Sequence, residues 1–113
     1  LELEDCSINS ESDLLIFHGL RIGKGTAIAW NCKFLDEDFH TISYDGKIEN
    51  DKNEMIIGEH VWVGNDVKIM KGVHLDDGLI VAAHSVVIHK FTEKNSLIGG
   101  YPAKLIKRNV HWN

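Results

Sequence analysis

Between residues 57 and 87 the apolar positions keep strict time. Cut every six residues, the stretch reads IGEHVW, VGNDVK, IMKGVH, LDDGLI, VAAHSV and V. Ile57, Val63, Ile69, Leu75, Val81 and Val87 open successive hexads. Val61, Val67, Val73 and Leu79 take the fifth place, and Ser85 follows them. A helix repeats near 3.6 residues and a half-buried strand near 2, so neither gives a period of six. A fixed short period predicts a parallel β-helix, in which short strands stack coil on coil. One aliphatic residue per hexad points inward, and the fifth-place residue closes the corner. Gly58 and Gly64, each just after an inward residue, suit a tight or positive-φ backbone.

An earlier run keeps the same time. Ile16, Ile22, Ile28 and Phe34 are its ticks, with Leu20, Thr26, Cys32 and Asp38 at fifth places. Before it, Leu1, Leu3 and Ile8 predict pieces of strand, with a turn over residues 9–13. The tick after Phe34 falls on His40, which is polar, and the rhythm stops until Ile57. The intervening segment, with Asp45-Gly46 as a turn and a polar run over 49–54, predicts a loop thrown out from one corner. Loops on rigid scaffolds carry function disproportionately. After Val87 the repeat decays. Leu97-Ile98 survives, Gly99-Gly100 and Tyr101-Pro102 interrupt, and 103–110 suits a strand or helical turn closing the last coil. Trp112 is placed as a cap on the open end of the core. The expected architecture is all-β. It is a single domain over 1–113, with an inserted loop at about 41–56 and a C-terminal segment at about 92–113.

A chain of 113 residues allows one domain. Cys6 and Cys32 are too few for a disulfide framework and predict reduced thiols. No stretch is apolar for long enough to span a bilayer, and no signal-peptide pattern is present, which points to the cytoplasm. The first residue is leucine, consistent with further coils ahead of it. Charge divides the chain: residues 1–89 carry a net −9, and 90–113 a net +4 from Lys90, Lys94, Lys104, Lys107 and Arg108 against Glu93. A basic tail on an acidic body suits a compact anionic ligand and argues against nucleic acid, which wants a broad basic face.

Four segments resemble the hexapeptide-repeat acyltransferases, which include galactoside, maltose, serine and xenobiotic acetyltransferases. They are DEDFHTI at 36–42, IGEHVWVGNDVKIMKGV at 57–73, VAAHSVV at 81–87 and GGYPAKLIKR at 99–108. The likeness covers about residues 16–108. WNCKFLDEDFH and the final tryptophan are similar to the branch that modifies cell-surface polysaccharides and their sugar precursors. The resemblance implies a left-handed β-helix, whereas general crossover rules favour the right hand. It also implies a homotrimer with donor sites between subunits. Trp30, Phe39, Trp62 and Met70, off the inward register, would supply the apolar contact. The implied donor is acetyl-CoA, with no metal, and the acceptor a sugar or polysaccharide precursor.

Acetyl transfer to a hydroxyl needs a base near neutral pH, for which histidine is best suited. Of seven histidines, His18, His60, His74, His89 and His111 read as exposed loop or tail. His84 lies where the family usually has glycine. His40 stands at the break in the rhythm, beside the loop, and matches the family's general base. Three roles are open to Asp36, Glu37 and Asp38: orienting the imidazole, binding acceptor hydroxyls, or turning the corner. Asp38 is carried forward as a catalytic candidate. For the donor, the resemblance places Trp62 beside the pantetheine arm, Asn65 near the thioester and Ala83 against the pantetheine amides. The backbone N–H of Asn65 or Gly64 is a candidate oxyanion donor. Small side chains at Ala82, Ala83 and Ser85 would let the arm lie close. Lys90, Lys104, Lys107 and Arg108 supply charge for its phosphates, and Pro102 matches a position near the adenine. His84 and a longer segment over 89–94 depart from the family pattern.

Rival readings remain. An amino sugar would make the reaction N-acetylation. His84 and His89 share the spacing of γ-class carbonic anhydrases, although the third zinc ligand would fall on Ile48. A non-catalytic scaffold would bind no acetyl-CoA.

Overall fold

Inward residues two apart along each strand, with an outward residue between them, dictate what the chain builds. A computed structural model describes residues 1–37, 39, 43–48 and 54–113. The first coil is β1 (Glu2–Leu3), β2 (Ser7–Ile8) and β3 (Asp13–Leu15). The second is β4 (Leu20–Ile22), β5 (Ala27–Ile28) and β6 (Lys33–Leu35). A hairpin of β7 (Ser43–Tyr44) and β8 (Lys47–Ile48) follows, turning at Asp45-Gly46. The third coil is β9 (Met55–Ile57), β10 (Trp62–Val63) and β11 (Lys68–Met70). The fourth is β12 (His74–Leu75), β13 (Ile80–Val81) and β14 (Val86–Val87). The chain ends with β15 (Leu97–Gly100) and β16 (Ala103–Lys107). No helix occurs among the described residues, so none there is long and apolar enough to cross a membrane.

The coils stack into three sheets, parallel but for one strand. The first runs β1-β4-β9-β12, the second β2-β5-β10-β13-β15-β16, and the third β3-β6-β11-β14. The ticks pair with each other: Ile22 with Ile57 and Ile57 with Leu75, Ile28 with Val63 and Val63 with Val81, Phe34 with Ile69 and Ile69 with Val87. Three hexads therefore make one coil. Every described fifth-place residue, from Leu20 through Ser85, is buried with its tick two positions later. Successive side chains of a strand alternate faces, so such a pair shares the core face. Thr26 fits this place because its hydroxyl donates to Gly58 O at 2.8 Å and accepts Val61 N–H at 3.1 Å. Cys32 fits because its thiol reaches Gly64 O at 3.1 Å. Burial, its leading influence, raises the Cys32 pKa and keeps the thiol protonated.

Three expectations change. Ile16 is no strand tick; it lies half-buried in the corner between the third and first sheets. The true first-coil ticks are Leu3, Ile8 and Leu14, paired with Ile22, Ile28 and Phe34. The strand after the insertion starts at Met55, already buried, so residues 55–56 belong to the coil and not to the loop. Trp112 does not cap the open end. It lies along the side of the solenoid, against His60.

Candidate functional site

The corner between the second and third sheets is built by left-handed backbone. Glu11, Asn31, Asp66 and His84 occupy it in successive coils, with φ of 63°, 57°, 59° and 63°. Only glycine enters that region without steric cost, which fits the glycine that the family resemblance leads one to expect at His84. His84 Nε2 lies 3.6 Å from an Asp66 carboxylate oxygen, an exposed contact. Sharp, regular corners leave the second sheet's outer face as a continuous wall.

That wall carries a groove of about 440 Å³. Trp62, Ile80 and Leu97 line it from one column, and Ala29, Gly64 and Ala82 from the next. Trp30, Asn65 and Ala83 form the lip at the corner. The lining is mostly apolar, and its depth comes from small residues. A Cβ on Gly64 would stand 2.8 Å from Ala83 N and 3.0 Å from Val81 O, so the coils approach too closely there for any side chain. Gly64 has no left-handed φ; close approach, not turn geometry, requires it. Asn65 is fixed at two points. Its Oδ1 accepts Trp30 N–H at 3.1 Å, and its carbonyl accepts His84 N–H at 2.9 Å.

Of the residues named from sequence for the donor, Trp62, Gly64, Asn65 and Ala83 meet in this groove. The Gly64 N–H is spent on Val81 O at 2.9 Å, which leaves it no proton to offer an oxyanion. Ser85 is buried below the wall, its hydroxyl accepting Gly100 N–H at 3.0 Å.

The basic residues divide. β16 runs antiparallel beside β15, with Lys104 opposite Gly99 and Lys107 opposite Leu97. Ile98 pairs with Leu105, so Ile106 is an extra residue, a bulge. Cross-strand partners share a face. The bulge thus keeps both lysines on the face of Leu97 and Gly99, which is the groove face; strict alternation would have turned Lys107 inward with Leu105. Arg108 is tied to Glu93, Nε to Oε1 at 2.8 Å. Lys90 lines a separate hollow with Leu79, Phe91, Thr92 and Glu93. Pro102 lies in another with Val86, Ile88 and Tyr101. The structure does not bring Lys90 or Pro102 to the groove.

At the corner between the third and first sheets, one of the three acidic residues has a visible task. Asp36 is fully buried and accepts the N–H groups of Phe17, His18 and Gly19 at 2.8, 2.7 and 2.9 Å. It turns the corner. Burial works against its charge, but the three backbone bonds and the nearby His18 outweigh that and lower its pKa. A carboxylate depressed on folding stabilises fully above its unfolded value of about 4, and that stability is lost as pH falls through the lower folded value. Acid titration of thermal stability is therefore expected to show a loss below pH ~4 that Asp36→Asn flattens. An unchanged acid limb in the variant would refute this. Glu37 is paired with His18 Nε2 at 2.5 Å and accepts Phe39 N–H at 3.0 Å. Asp38 and His40 lie outside the described residues, as do 41, 42 and 49–53. The side chain of Ile48 is likewise not described. Phe39 stands edge-on to Phe17 at 5.2 Å, and both are exposed.

One histidine departed from the sequence reading. His74 is in a strand, half-buried, and not in a loop. His60 is, as expected, exposed and outside the strands; it occupies a left-handed corner and is stacked by Trp112.

The family model for the bacterial transferase hexapeptide (six repeats) matches residues 54–89. A 24.8 kDa protein in the cps region of Klebsiella pneumoniae, itself uncharacterised, is 50% identical over 97% of this chain and 49% of its own length. The polysialic acid O-acetyltransferase of Neisseria meningitidis is 33% identical over 96% of this chain and 55% of its own. The chain thus spans about half the length of these relatives. Among solved structures, the polySia-specific acetyltransferase NeuO superposes with a TM-score of 0.88 at 30% identity, covering 98% of this chain and 48% of its own. A hexapeptide-repeat acetyltransferase of Vibrio cholerae, complexed with acetyl-CoA, gives 0.77 at 25%, covering 94% and 58%. These neighbours fix the hand of the solenoid as left, against the general crossover preference.

Proposed function

We propose that this chain, which belongs to the hexapeptide-repeat acyltransferases, supplies the donor groove and catalytic base of an acetyl-CoA-dependent O-acetyltransferase acting on a sugar or polysaccharide precursor. The observation that carries the reading is one surface. Trp62, Gly64, Asn65 and Ala83 line a single apolar groove, and the same sheet face continues onto Lys104 and Lys107. A thin, largely apolar arm ending in phosphates has that order of chemistry along its length.

His40 takes the proton of the acceptor hydroxyl as its oxygen attacks the thioester carbonyl. The C–S bond breaks as the new ester C–O bond forms, and the imidazolium returns the proton to the leaving thiolate. Asn65, at the lip of the groove, would stabilise the developing oxyanion. The relatives that act on polysialic acid support a polyhydroxyl acceptor. The homotrimer rests on the open groove and on the apolar residues around it. Trp30 and Trp62 are 54% and 44% exposed, which favours coverage by a second copy.

The test is thiol release from acetyl-CoA against a panel of neutral and amino sugars. Turnover confined to amino sugars would make the enzyme an N-acetyltransferase. Absence of acetyl-CoA binding would leave only a scaffold, and stoichiometric zinc in the purified protein would revive the carbonic-anhydrase reading. Lys104→Ala and Lys107→Ala are each expected to weaken donor binding several-fold, more at low salt than at high, because exposed charge is screened over about 10 Å at 0.1 M. Losses that ignore salt would mean the lysines act by packing.

A further inference from the structure

Beyond β16 the chain turns back along the corner between the first and second sheets. Val110 N–H donates to Asn95 O at 2.8 Å. Two coils further back, Trp112 closes on His60 through two opposed bonds. Its indole N–H donates to the His60 carbonyl at 2.8 Å, and His60 Nε2 lies 2.8 Å from the Trp112 carbonyl. A carbonyl can only accept, so that imidazole nitrogen carries the proton. The two rings stack at 4.0 Å and 5°. The same indole meets Trp62 at 5.9 Å and 46°. His60 is itself held, at φ 52°, by its N–H on Lys24 O at 3.0 Å. The clasp thus joins a rigid corner to the ring that forms one wall of the groove.

We infer that Trp112 is a positioning residue, which, clamped on His60, holds the Trp62 ring at one angle beside the groove. The inference rests on the donor reading of that groove only for its consequence. A half-exposed tryptophan with no neighbour samples several rotamers. Fixing it in advance removes that ordering cost from ligand binding. A segment that merely stabilised the solenoid would need no contact with Trp62.

The test compares Trp112→Ala with Trp112→Phe, which keeps a stacking ring. In a Trp30→Phe background Trp62 is the sole emitter of both, since the chain has three tryptophans. Acrylamide quenching of Trp62 is expected to be about twofold stronger in the Ala form than in the Phe form. With Trp30 intact, KM for acetyl-CoA is expected to rise about tenfold in Trp112→Ala and to return within about threefold in Trp112→Phe, with kcat nearly unchanged. Melting curves of both variants check the fold. Equal quenching in the two forms overturns the inference, and so does stronger quenching with an unchanged KM. Stronger quenching with no donor bound even by the parent chain would refute the donor reading and leave the clamp standing.

Discussion

Replacing His40 with alanine is expected to cut turnover by about a hundredfold or more while acetyl-CoA binds as before. The split follows from where the parts lie. The groove belongs to the second sheet and its corner with the third, built by residues 29–30, 62, 64–65, 80–83 and 97. The segment leading to His40 leaves the other corner, between the third and first sheets. There Asp36 is pinned by three backbone bonds, and Phe39 rests on Phe17. None of the described residues lining the groove belongs to that segment, so donor affinity is expected to survive the substitution. Thiol release gives kcat, and calorimetry with acetyl-CoA alone gives donor affinity. Undiminished turnover would take His40 out of the mechanism. Loss of both quantities together would place it in donor binding.

Gly64→Ala is expected to lower stability by about 2–3 kcal/mol, and the melting temperature by roughly 10 °C. The new methyl would meet Ala83 N at 2.8 Å, Val81 O at 3.0 Å and Ala83 Cα at 3.1 Å, all of them backbone. No side chain can swing away, so β10 and β13 must part. Their separation would strain the Gly64 N–H to Val81 O bond and shift Asn65 and Ala83, the lip of the groove. Donor affinity should fall with stability. A variant that melts with the parent and binds acetyl-CoA as tightly would show that the coils have slack at this point.

Much of this was legible in the apolar rhythm, because each tick and each fifth-place residue answers to one requirement, a stacked core. The inward positions from Ile57 through Val87 were readable without error for that reason. The first coil was not. Leu14 and Ile22 lie more than a hexad apart because the corner between them carries extra residues, whose N–H groups the Asp36 carboxylate satisfies. That bond spans two coils and leaves no trace in local pattern. Lys107 was named for its charge. Its facing the groove depends on the bulge at Ile106, and a bulge is a property of two paired strands. Trp112 was misplaced for a related reason: its partner, His60, is 52 residues away and shows no periodic sign.

The ladders on either side of the insertion match residue for residue: Leu20 with Met55, Arg21 with Ile56, Ile22 with Ile57. Whatever lies between Phe34 and Met55 therefore enters and leaves the solenoid without shifting a rung. On the proposed reading, lengthening or rewriting that excursion would change what meets the acceptor and leave the thioester carrier's berth as it was. Such an architecture would let an enzyme of this kind be retargeted by editing one corner, with the rest of the machine inherited intact.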